Sequence, residues 1–210
     1  VDALEPLVLR GPTVTLRPLT LADAGALAGA ASESRDQYVY TRVPDGVEDA
    51  RRYIELALAD RAAGHRMPFA IVWQERVVGS TSYLDVQQWR WPAGSPRQRT
   101  DGPDSVEIGS TWLAASAQRT RCNTEAKHLL LSQAFDVWEV YRVALKTDER
   151  NAKSRRAIER LGARFEGVHR ADMPAQDGSV RSSAYYSIVQ AEWPDVRKKL
   201  EDALRQGGVG

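Results

Sequence analysis

The stretch SVEIGSTWL, residues 105–113, reads as a strand, and VYRVALKT, residues 140–147, reads as another. Between them a helix is predicted from about Thr124 to Trp138, with Ala126, Leu130, Ala134, Val137 and Trp138 at helical spacing. A strand–helix–strand succession makes the two strands parallel neighbours, because only a crossover connection lets adjacent strands run the same way. On either side the pattern changes. Upstream, residues 13–18 (VTLRPL) alternate like a strand, and Thr20 with Asp23 caps a short helix through about Ala31. A turn at Pro44-Asp45-Gly46 leads to a helix over Val47 to Ala62. Residues 67–74 and 76–86 then read as an antiparallel hairpin about Glu75-Arg76. Downstream, Asn151 to Leu161 is helical and stops at Gly162, residues 163–170 and 180–189 pair as strands, and a polar helical tail follows Glu192. The expectation is one mixed α/β sheet in a single domain over residues 1–210, with no linker and no internal repeat.

Composition narrows the classes of function. The 210 residues carry 29 Lys+Arg against 28 Asp+Glu, a net charge of +1, which disfavours a dedicated nucleic-acid binder. One cysteine, Cys122, excludes an internal disulfide, and three scattered histidines disfavour a metal site. No stretch approaches the roughly 20 apolar residues of a membrane span. The start VDALEPLVLRGP has no apolar signal region, so a cytoplasmic setting is the default expectation.

Three regions carry candidate chemistry. Gln118-Arg119-Thr120-Arg121-Cys122-Asn123-Thr124 lies between a strand end and a helix start, where free backbone N–H groups and two arginines can cradle a phosphate. A plain turn capped by Asn123 or Thr124 is the alternative. Residues 87–104 form a long unpatterned loop holding Trp89 and Trp91, either a binding element or a surface flap with its aromatics packed down. Asn151 and Ser154 open the next helix, where capping alone would explain them.

The succession of elements resembles the GNAT superfamily of acyl-CoA-dependent N-acyltransferases over about residues 12–194, leaving 195–210 as a C-terminal helical tail. Gln118 matches the first position of that family's pyrophosphate loop, while Arg121 and Asn123 stand where glycines would be. Asn151-Ala152-Lys153-Ser154 and Leu161-Gly162-Ala163, followed by Phe165-Glu166-Gly167 and Tyr185-Tyr186-Ser187, are similar to segments of its ribosomal-protein N-terminal acetyltransferase branch. The resemblance implies a mixed, mostly antiparallel sheet of six to seven strands, with the fourth and fifth splayed around acetyl-CoA. It implies that Gly109 breaks the ladder and that N–H groups around Trp112 and Leu113 bond the pantetheine and the developing oxyanion. It implies coenzyme contacts at Gln118, Arg119, Arg121, Cys122, Asn123, Thr124, Asn151 and Ser154.

For the base, Glu107 on the fourth strand and Asp172 after the sixth are candidates, each with a solvated surface acid as the alternative. The slot of the family's tyrosine acid holds Ile158, which leaves Ser154, Tyr186 or no acid at all for the coenzyme thiolate. Tyr38, Tyr40, Trp89 and Trp91 would hold the acceptor, a peptide N-terminus or a small-molecule amine, unless they pack a sheet edge or a homodimer contact. An acyl-CoA-binding regulator without catalysis is the rival function. Cys122, within the loop, would then report coenzyme occupancy by protection from alkylation.

Overall fold

The computed structural model describes residues 5–98 and 101–207. Eight strands form one sheet in the order β1-β2-β3-β4-β5-β6-β8-β7. They are β1 (Leu9–Arg10), β2 (Val14–Pro18), β3 (Arg66–Trp73), β4 (Arg76–Gln87), β5 (Ser105–Leu113), β6 (Arg142–Asp148), β7 (Arg164–Pro174) and β8 (Val180–Val189). The helices are α1 (Ala24–Ser32), α2 (Gly46–Ala62), α3 (Arg121–Ser132), α4 (Ala152–Leu161) and α5 (Trp193–Arg205). The mixed, mostly antiparallel sheet agrees with the sequence reading. The count is eight because the two-residue β1, too short for any periodic signal, pairs with β2.

Alternation along the strands sorts side chains onto two faces. Met67 and Tyr83 share one row, and Tyr83 donates its hydroxyl to the Leu130 carbonyl of α3. The neighbouring row, Arg66–Leu84–Glu107, faces the other way, with the Arg66 guanidinium 5.8 Å above the Tyr53 ring of α2. Helices α3 and α2 therefore cover opposite faces. The C-terminal helix is more than a polar tail: Trp193 stacks on Phe135 at 5.3 Å and donates to Asp136, while Val196 and Leu200 are buried.

The parallel pair is short. Ser105, Val106 and Glu107 pair with Arg142, Val143 and Ala144, and there the β5–β6 pairing ends. Strand β5 stays with β4 as far as Leu113, and β6 stays with β8 as far as Asp148. The two strands thus diverge. On β5 the cause is a bulge, but not at Gly109, which pairs normally with Ser82. The next pair is Ser80 with Trp112, so Ser110 and Thr111 together oppose Thr81, and Ser110 takes a left-handed φ of 48°. Gly109 is small for another reason: a Cβ there would lie 2.8 Å from both Glu107 Oε1 and Leu84 Cδ1.

Gly79, opposite the far end of β5, is more tightly constrained, since a Cβ would lie 2.1 Å from the Trp112 carbonyl oxygen. Backbone cannot yield as a side chain can. Gly79→Ala should therefore cost about 1–3 kcal/mol or more, read as a lowered urea midpoint at unchanged slope.

Candidate active site

Where β5 and β6 part, a cleft of about 620 Å³ opens between them. Its lining comes from both faces of the sheet: Tyr40, Arg42, Tyr53 and Arg66 on the α2 side, Asn123, Lys127, Ser154 and Ile158 on the α3–α4 side. Glu107, Gly109, Ser110 and Thr111 line it from β5, Leu145, Lys146 and Thr147 from β6.

On the α2 side the two predicted carboxylates belong to one chain of polar groups. Glu107 is 4% exposed, with Oε2 3.5 Å from Lys146 Nζ. Lys146 lies 3.4 Å from Tyr185 Oη, which donates to Asp172 Oδ1 at 3.3 Å. Burial raises the Glu107 carboxyl above its ordinary range, only partly countered by Lys146. Burial pulls the Lys146 ammonium down, but Glu107 and Tyr185 outweigh it and the net direction is up. Asp172 lies inside β7 rather than beyond a strand end, because β7 continues to Pro174 past Ala171, whose φ is 53°. Its Oδ2 is enclosed without a hydrogen-bond partner among the described residues.

On the α3 side stands a group the sequence reading missed. Lys127 is 6% exposed, and Nζ donates to Thr111 Oγ1 at 2.7 Å, a hydroxyl also 2.7 Å from Thr81 Oγ1. Among the described residues it forms no ion pair. Burial lowers its pKa to about 7. The available signal was its spacing: Lys127 shares an i, i+3, i+4, i+7 stripe with the buried Leu130, Leu131 and Ala134. Ser154 lines the cleft, but Tyr186 does not: its buried hydroxyl bonds Arg155 Nε at 2.9 Å and Glu159 Oε1 at 3.1 Å.

The predicted loop differs in detail. Helix α3 starts at Arg121, three residues earlier than expected, and its cap is Thr120, whose hydroxyl accepts from the Cys122 N–H at 3.1 Å. The expected loop residues therefore form the first turn, where N–H groups lack an i−4 acceptor. Asn123 lines the cleft, and Thr124 lines a smaller hollow with Arg160 of α4 and Lys199 of α5. Arg119 is exposed with a φ of 58°. Arg121 turns back toward Glu125, 3.6 Å away, whose buried carboxylate accepts from the Thr13 and Val14 N–H groups. Cys122 faces the core: its thiol is fully buried and pushed up to about 12 by burial, so it cannot act as an alkylation reporter of the loop. The Gln118 side chain is committed within the protein, donating to the Leu113 carbonyl at 2.8 Å and accepting from Lys153 at 2.5 Å. Asn151 is spent as the α4 cap, its side chain accepting from Ser154 N at 3.0 Å.

Of the two predicted strand amides, only that of Leu113 points away from β4. Ala114 N–H donates to the Val78 carbonyl at 2.7 Å. By antiparallel alternation the Trp112 N–H also faces β4, whereas the Leu113 N–H faces away from it. Tyr38 does not line the cleft. It buttresses this strand, donating to the Leu113 carbonyl at 2.9 Å and meeting Trp112 edge-on at 6.1 Å. Tyr40 does line it, with the Arg150 guanidinium 5.1 Å from its ring.

Trp89 and Trp91 stand elsewhere, at the closed end of the β5–β6 pair. Trp89 stacks on Tyr141 at 5.7 Å, Trp91 meets it at 5.5 Å, and Asp104 accepts from Trp89 N and Trp91 Nε1. Trp91 and the still 39%-exposed Trp89 thus pack on Tyr141, and neither tryptophan lines the cleft.

The acetyltransferase (GNAT) domain family matches residues 13–164. A protein from T. thermophilus, described as a candidate acetyltransferase, is 32% identical with a TM-score of 0.77, over 95% of this chain and 97% of its own. A GCN5-related N-acetyltransferase from Brucella melitensis is 26% identical with a TM-score of 0.78, over 97% and 87%. Mycobacterium smegmatis RimJ, solved in complex with CoA-disulfide, shares the fold at 22% identity and a TM-score of 0.75, over 95% and 94%. No curated protein matches the chain.

Proposed function

Because this chain belongs to the GNAT acetyltransferase family, whose domain spans residues 13–164, we propose that it moves an acetyl group directly from acetyl-CoA to a primary amine in a ternary complex. The observation that carries this reading is the parting of β5 from β6 beyond Glu107, which leaves a cleft with a buried carboxylate on one side and a buried lysine on the other. A thioester arm seated there would find the Leu113 N–H facing it, and the first turn of α3 offers N–H groups to phosphates. The loop glycines are absent, so Asn123 and the exposed Arg119 take over the anion side, while Arg121 and the Cys122 thiol are occupied elsewhere.

In the transfer, the amine nitrogen bonds to the carbonyl carbon as the carbon–sulfur bond breaks. Glu107 takes the proton that the nitrogen loses, and the Lys146 ammonium beside it, itself held against Tyr185 and Asp172, stabilises the carboxylate before that proton arrives. A raised carboxyl suits that role, since a base is most useful with its pKa drawn toward the working pH. The negative charge on the carbonyl oxygen is met by the Leu113 N–H. Lys127, as ammonium, gives its proton to the departing thiolate, the part that neither Ile158 nor Tyr186 can play. An α-amine acceptor, roughly a quarter neutral at pH 7.4 with a pKa near 7.8, needs only modest help from the base.

The test is thermal melting with acetyl-CoA, followed by thiol release over an amine panel. At 100 times the dissociation constant the coenzyme should add about 2.7 kcal/mol, roughly 5–10 °C in midpoint for a chain of this size. No shift at millimolar acetyl-CoA would remove the coenzyme from the reading. A shift with no thiol released from any amine would favour the non-catalytic regulator.

A further inference from the structure

On the acceptor side of the cleft two guanidinium groups, Arg66 and Arg181, have no closely paired carboxylate among the described residues. Arg42 is satisfied, since both its terminal nitrogens bond the Asp49 carboxylate. Arg66 is not. Its side chain is only 10% exposed and Nε donates to Ser82 Oγ at 2.8 Å, but its nearest carboxylate, Asp60, stays 3.9 Å from Nη1 and is 56% exposed. Among the described residues Nη2 has no partner, and neither has the buried Tyr53 Oη beneath the same guanidinium. Arg181, on the β8 end of the cleft, donates Nε to Ser183 Oγ at 2.9 Å and forms no ion pair among the described residues.

A buried guanidinium with donors unspent is costly, and a planar pair of acceptor oxygens is the partner that its geometry fits. Among the described residues the other acids on this side are turned to other partners: Glu107 is engaged by Lys146, and Asp172 accepts from Tyr185. The coenzyme phosphates do not explain these arginines either. Helix α3, whose N-terminus would take the phosphates, covers the opposite face of the sheet from Arg66 and α2.

We infer that the acceptor amine carries an anionic group, a carboxylate or a phosphate, which Arg66 and Arg181 hold on the α2 side of the cleft; this rests on the acetyl-transfer reading above. Anchored there, the amine is presented to Glu107 from the same face, because Arg66 and Glu107 lie in one cross-strand row. Cationic acceptors such as polyamines would meet like charge and be rejected.

The experiment compares matched acceptors with the purified full chain and saturating acetyl-CoA. The pairs are amino acids against their amides, and phosphoethanolamine against ethanolamine, with spermidine as the cationic arm. The acid or phosphate of at least one pair should exceed its neutral partner by about tenfold or more in kcat/KM, and whichever pair responds identifies the anion. Arg181→Gln and Arg66→Lys should each lower that preference about tenfold, through the acceptor KM, while the acetyl-CoA KM stays unchanged. Arg181 is partly exposed, so its variant keeps the test valid should the buried Arg66 variant fold poorly. Equal use of the anionic and neutral member in both pairs, best turnover with spermidine, or an unaltered preference in both variants would overturn the inference. So would thiol release from no panel member when acetyl-CoA still raises the melting point. If the coenzyme itself produces no shift, the acetyl-transfer reading fails instead.

Discussion

Glu107→Gln should lower kcat by about a hundredfold or more while leaving the acetyl-CoA KM within about twofold. Gln keeps the shape of the side chain beside Gly109 and Leu84, where a single extra methyl would already be too close, so the strand should hold its course. What disappears is the proton acceptor beside the Lys146–Tyr185–Asp172 series. The pH profile separates this from mere loss of packing. In the native enzyme the acid limb of kcat/KM should fall above pH 4.5, because burial raises the Glu107 carboxyl from that value. Activity should climb as the proton leaves, and the variant should lack that limb. Asp172→Asn, at the outer end of the series, should cost less, about three- to tenfold, and keep the limb. A Glu107→Gln enzyme with native turnover and a native acid limb would show that another group takes the proton.

The parallel β5–β6 pair was readable in advance because a helix between two strands leaves few other arrangements. Asn151 and Gly162 as the bounds of α4 were readable too, one a side-chain cap and the other at a left-handed φ of 101°. Both signals are local. The opening of the sheet is not: the bulge falls at Ser110 because β4 fixes which residue of β5 must loop out, and no residue type within β5 announces that register. Gly109 drew attention as the flexible residue, yet its smallness serves the Glu107 carboxylate that folds back over it. The same limit applies to Trp89 and Trp91, whose partners Tyr141 and Asp104 arrive from distant or unpatterned sequence. Glu107 was found because the family that the sequence resembles often places a carboxylate on its fourth strand. Lys127 was passed over because lysines on helices are ordinarily solvated, even though its apolar stripe argued otherwise.

Lys127→Met should make the protein more stable and less active at once. The native ammonium loses its proton near pH 7, while the unfolded side chain keeps its own to about 10.5. Between those values the unfolded chain holds the extra proton, so native stability rises with pH across the interval and carries its full penalty below pH 7. An interval of about 3.5 pH units corresponds to at most roughly 5 kcal/mol, and water penetration brings the expected gain for Met to about 2–5 kcal/mol at pH 6. The gain should shrink toward pH 10, a trend that urea unfolding at several pH values would follow. Thr111 keeps Thr81 as a partner, so Met strands no acceptor. Turnover should move the other way, falling about ten- to a hundredfold as the thiolate loses its acid. Glu107 must be deprotonated and Lys127 protonated, so native kcat should be bell-shaped in pH, with its basic limb near 7; in Lys127→Met that limb should vanish. Stabilisation with undiminished turnover would take Lys127 out of the chemistry, and no stabilisation at pH 6 would mean that the ammonium is not desolvated. If both changes occur, a buried charge has been kept at a cost in stability because the leaving sulfur requires a proton.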